Sequence, residues 1–145
     1  MGRSALLAAG WGSIAASLLH IGVIIGGPDW YRFFGAGEPM ARAAERGSPM
    51  PAIVTLVIAA ILAVWALYAF GAAGRFRRLP LIRTALVAIS AVLLARAALA
   101  FVPAAWAPEH SFAFITWSSA VCFLLGTLFA WGTWQAWPQL SSRVR

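Results

Sequence analysis

Four apolar stretches, each about twenty residues or longer, set the terms on which this chain can fold. They run from about Ser4 to Gly27, Pro51 to Ala73, Leu81 to Val102 and Phe112 to Trp137. In a helix, about 20 apolar residues cover the roughly 30 Å of a bilayer's hydrocarbon. Inside hydrocarbon every backbone group needs a partner within its own segment, so the stretches read as helices. Of the 145 residues, 62% are hydrophobic and only 10% charged, against roughly 45–50% apolar in soluble domains. Mean hydropathy is +0.83. The expected fold is an all-α membrane protein in one domain, residues 1–145, with four transmembrane helices in an antiparallel up-down bundle.

The first stretch has the basic residue and apolar core of a secretory signal. It continues unbroken past Ala15 and Ala16 through Leu18, Leu19, Val23, Ile24 and Ile25, beyond the ~7–15-residue apolar core of such signals. It is read as a retained span.

Arginine placement gives the spans a polarity. All eleven basic residues are arginine, and short cytoplasmic loops carry the basic excess. Residues 74–80 hold Arg75, Arg77 and Arg78, with Arg83 just inside span three; Arg3, Arg143 and Arg145 add to that side if the chain crosses four times. The opposite side holds Arg32, Arg42 and Arg46 with all four acids, Asp29, Glu38, Glu45 and Glu109. Both termini and the tail 138–145 are therefore expected in the cytoplasm of a bacterium, with loops 28–50 and 103–111 on the periplasmic side of its inner membrane. Trp131, Trp134 and Trp137 fall at the inner interface, and Trp30, Tyr31 and Trp106 at the outer one, where amphipathic rings settle. The sequence pI of 11.6 then reflects attraction to anionic lipid rather than to nucleic acid, which needs a basic soluble face.

Loop 28–50 is the longest connection. Glu38 suits a helix start, Pro39 the first turn and Gly47 the stop, so a short interfacial helix is expected over about 39–46. Glu38 and Arg42 stand at i,i+4, and Arg42 and Glu45 at i,i+3, forming a polar face. Trp30, Tyr31, Phe33 and Phe34 read as interfacial anchors. The loop serves either as a cover for the helix ends or as a lid over a site.

Ionisable groups inside a bilayer are costly and mark functional candidates. Two qualify. His20 lies in span one on a stripe with Ser17, Ala16, Ser13 and Gly12, small residues that let helices approach closely. Arg96 lies in span three, seven residues before Pro103. It is therefore roughly 10 Å below the outer boundary at 1.5 Å per residue, within snorkelling reach. Its alternatives are headgroups or a carboxylate from Asp29, Glu38 or Glu109. Span four carries a stripe of Ser119, Cys122, Gly126, Ala130 and Thr133, flanked by Trp117 and Ser118. The candidate binding residues are His20, Arg96, Asp29, Arg32, Glu38, Arg42, Glu109, His110 and Trp117. All belong to the outer half.

The sequence holds no Ser-His-Asp order, no glycine-rich phosphate loop and no H-E-x-x-H, and Asp29 is its sole aspartate. The single cysteine, Cys122, excludes an internal disulfide and C-x-x-C chemistry. No cofactor or metal is expected. Haem through His20 and His110 is disfavoured, because His110 sits in a Pro-Glu-His-Ser loop. The favoured reading is a non-enzymatic accessory or interaction subunit, in contact with lipid and with other membrane subunits or its own copies. The alternative is an outward-facing binding or transport protein for a small amphipathic or anionic molecule, using His20 and Arg96. A membrane-embedded enzyme ranks third.

Overall fold

The computed structural model describes residues 1–77, 79–106, 108 and 110–141. Among them it is all-helical: α1 Gly2–Phe33, α2 Glu38–Glu45, α3 Met50–Ala72, α4 Ile82–Ala98 and α5 Phe112–Ser141, with two 3-10 turns at Leu99–Phe101 and Pro103–Ala105. Four of these segments are long and apolar enough to cross a membrane.

The first span outruns its apolar stretch. Pro28 has no N–H to continue the ladder and its ring crowds the preceding turn. The chain answers with a kink at Gly27, φ 67° and ψ −151°, and the helix resumes to Phe33. That backbone region belongs to glycine. The kink folds the Trp30 ring back over Gly26, where a Cβ would lie 2.1 Å from Trp30 Cγ; the Gly22–Gly26 spacing is thus taken up within one helix. Beyond Phe33 the helix closes with Gly35 N–H donating to Arg32 O at 3.1 Å and Ala36 N–H to Tyr31 O at 2.8 Å. This is a Schellman end with Gly35 in the left-handed position. The same bonding at Gly47 and Gly74 ends α2 and α3.

Helix α1 packs along both α3 and α5, and α4 packs along α5, whereas α3 and α4 meet sparingly. Register follows from close contacts. Gly2 lies against Gln135 and Gly12 against Leu125; Gly10 lies against Phe70, and Gly126 against Leu93 and Leu94. Ser17 Oγ donates to Ala59 O at 2.8 Å. Along each pair, residue numbers rise on one helix as they fall on its neighbour. Small residues set these approaches, as packing between apolar helices requires.

The main core lies toward the end of the molecule that carries the basic connection. Leu6, Ala9, Ala69, Ala73, Ile82, Leu86, Ile89, Leu93, Leu125, Phe129, Ala136 and Leu140 form one buried cluster. At that end Arg83 Nη2 donates to Trp137 O at 2.9 Å, and its guanidinium lies 4.3 Å from the Trp137 ring centroid. A cation is well placed on the last carbonyls of a helix.

The opposite end has a smaller cluster, Val23, Tyr31 and Ala41, backed by Phe34, Ala36, Met40 and Ala44. Here one sequence expectation is corrected. Tyr31, read as an interfacial anchor, is only 2% exposed, and its hydroxyl accepts from Thr55 Oγ1 at 3.4 Å. Because the helix continues past Pro28, Tyr31 turns inward while Trp30 and Phe33 stay exposed.

Candidate functional site

The end opposite the basic connection divides into two corners. In the first, α2 folds back against the end of α1, which brings Arg32 among three carboxylates. Its Nε and Nη2 donate to the two oxygens of Glu38 at 3.0 and 3.1 Å, the fork geometry that arginine and carboxylate share. Nη2 also reaches Glu45 Oε1 at 2.7 Å, and Nη1 lies 3.6 Å from Asp29. Arg42 Nε adds a second bond to Glu38 Oε1 at 3.0 Å. Glu45, which spacing pairs with Arg42, is drawn to Arg32 instead. Hydrogen bonds from Arg32 and then Arg42 hold the Glu38 carboxyl at about 2, below its ordinary value of 4.5. An open cavity of about 440 Å³ beside this network is lined by Glu38, Pro39, Arg42 and Arg46.

In the second corner Arg96, in the last turn of α4, turns toward α5. Its Nη2 donates to Ser118 Oγ at 3.2 Å and its Nη1 to Ser119 Oγ at 3.4 Å. The guanidinium lies 4.2 Å from the centroid of the Trp106 ring, a cation–π distance. Trp106 is fixed from behind, its Nε1 donating to Leu99 O at 2.8 Å. Phe114 and His110 complete an aromatic wall: His110 stacks on Phe114 at 5.3 Å and meets Trp106 edge-on at 5.8 Å. Among the described residues no carboxylate lies within ion-pair distance of Arg96.

The candidates named from sequence therefore fall into three sets. Asp29, Arg32, Glu38 and Arg42 form one network, and Arg96 and His110 share the aromatic corner. His20 and Trp117 join neither network through their described contacts. His20 is half-buried, its Nδ1 donating to Ala16 O one turn back at 2.7 Å, and Trp117 is 73% exposed. Glu109 lies outside the described residues. Sequence reasoning left Ser118, Ser119, Trp106 and Phe114 off the candidate set. The adjacent serines high on span four were the available signal, since hydroxyls at the depth of a lone arginine are natural acceptors for it.

Compared with known proteins, the chain matches no family model, no curated protein and no solved structure. Fold and site define it as a small all-helical protein with four membrane-length helices and a cationic, aromatic-walled corner at one end.

Proposed function

We propose that this chain is a non-enzymatic protein of the bacterial inner membrane that binds an anionic amphipathic molecule at its outer end. Four antiparallel spans place both termini in the cytoplasm and α2 at the periplasmic surface. The exposure of long apolar runs on all four helices supports the membrane setting. Side chains such as Ile25, Ile53, Leu56, Val92 and Phe123 would make a soluble protein aggregate but cost nothing against lipid tails. The arginine asymmetry supports the orientation.

The observation that carries the binding reading is the contrast between the two outer arginines. Arg32 has three acids around it. Among the described residues Arg96 has two hydroxyls and a ring. An arginine at membrane depth is expensive to leave uncompensated, and hydroxyls satisfy its donors without neutralising its charge. An anionic ligand completes the set. This moves an outward-facing binding role ahead of the accessory-subunit reading.

Purification in mild detergent followed by mass spectrometry of retained small molecules tests the proposal. The expected result is an anionic amphipath that accompanies the native protein and is lost from Arg96→Gln. Retention of the same molecule by that variant, or none on the native protein, sinks it.

A further inference from the structure

The donor arrangement at this corner carries the ligand's chemistry one step further. We infer that Arg96, Ser118 and Ser119, roofed by Trp106, form a receptor for the phosphodiester of a membrane phospholipid, a conclusion that rests on the anion-binding reading above.

Three observations point to a phosphodiester. The first is the geometry of the donors. Arg96 spends one donor on each serine, and among the described residues no hydrogen bond takes Nε or the remaining Nη hydrogens. Ser118 accepts from Arg96 and donates its own proton to Ile115 O at 3.3 Å. Ser119, itself buried, accepts from Arg96. A guanidinium with several donors left suits a phosphate, whose oxygens accept from several directions.

The second observation is depth. Trp106 lies over the guanidinium, and a tryptophan with a satisfied N–H beside the end of a span sits at headgroup level. Arg96 rises from the helix to that level, where lipid phosphates lie.

The third is the surface on either side. Val92, one turn inward from Arg96 on α4, and Leu99, three residues outward, are exposed, as is Val121 on α5. A lipid with its phosphate on Arg96 lays an acyl chain along Val92 and Val121 without meeting another charge. A free inorganic phosphate would gain nothing from these side chains.

The test is a titration of the delipidated protein in detergent, read by native mass spectrometry, with dioleoylphosphatidylglycerol and with oleate as separate probes. Phosphatidylglycerol binding is expected to weaken roughly tenfold or more in Arg96→Gln, the scale of a lost charge-assisted pair. Arg46→Gln removes an equal outer charge and is expected to bind like the native protein. If Arg96→Gln does not fold, the double variant Ser118→Ala/Ser119→Ala keeps the cation but removes the hydroxyls that orient it; it is expected to lose phosphatidylglycerol affinity. Arg96-dependent binding of oleate without phosphatidylglycerol overturns this inference and leaves the anion-binding reading standing. Binding of neither probe, or of both regardless of Arg96, overturns the two together.

Discussion

The ring of Phe114 at the start of α5 lies against the backbone of Gly35 at the end of α1, so close that a Cβ there would come within 2.4 Å of Phe114 Cδ2. The ring that touches Gly35 also stacks on His110 and meets Trp106 edge-on at 6.1 Å. One side chain thus couples the ionic corner at α1 and α2 to the cationic corner at α4 and α5.

Gly35→Ala breaks this coupling in two ways, by the clash and by placing a Cβ at φ 73°. We expect a loss of about 1–3 kcal/mol, the range for overpacking and backbone strain. Adding Phe114→Ala removes the ring's share of the clash and leaves the contact with Cβ of residue 114 at 2.8 Å and the backbone strain, so the double variant recovers part of the loss. Thermal unfolding in detergent reads both; full recovery would show that the backbone contributes nothing.

Gly26 makes a cleaner case, because the three atoms nearest to a Cβ there all belong to the Trp30 ring. Gly26→Ala is expected to lower the melting temperature, and Trp30→Ala in the same chain to restore most of it. If the double variant melts as low as Gly26→Ala, the ring is not what the glycine accommodates.

Acid loosens the outer cap through Glu38. Its folded value of about 2 lies below the ordinary 4.5, so its contribution is fully present above the ordinary value. That contribution is lost as pH falls toward 2. Hydrogen exchange of α2 amides, corrected for intrinsic rate, is expected to be flat from pH 8 to about 5 and to rise below that. Glu38→Gln should show the raised exchange at every pH and lose the acid step. High salt reduces the step as well, since these groups are solvent-screened.

Arg96 and Trp106 are expected to couple by about 0.5–2 kcal/mol in a double-mutant cycle of Arg96→Gln and Trp106→Ala. Chemical denaturation in detergent gives the four stabilities, and additive losses would dissolve the pairing.

Between α1 and α3, Ser17→Ala removes the buried bond to Ala59 O. The expected cost is about 0.5–1.5 kcal/mol, read in the same unfolding assay. A variant as stable as the native chain means that this hydroxyl is not part of the interface.

The four long helices were legible in the sequence because length and apolar content alone specify a segment that can cross a membrane. The short helix α2 was legible too, through Glu38, Pro39 and Gly47, and so was its ionic face. These are local signals, carried by residues within a turn or two of each other. Tyr31 was misplaced because Pro28 reads as the end of a helix, and only the positive φ available to Gly27 lets the helix resume beyond it.

What sequence could not decide was which faces of the spans meet. In a soluble protein the apolar stripe points inward; here nearly every face is apolar, so polarity does not choose among them. Helix α1 lies between α3 and α5 because Gly2, Gly10 and Gly12 leave room for Gln135, Phe70 and Leu125. That is a matter of shape rather than polarity. The same holds at the candidate site. The sequence by itself determined that a lone arginine sits near the C-terminal end of the third span. The tertiary structure decided that it turns to Ser118, Ser119 and Trp106 rather than to a described acid, because α5 carries hydroxyls at its depth while Glu38 and Glu45 are held by Arg32.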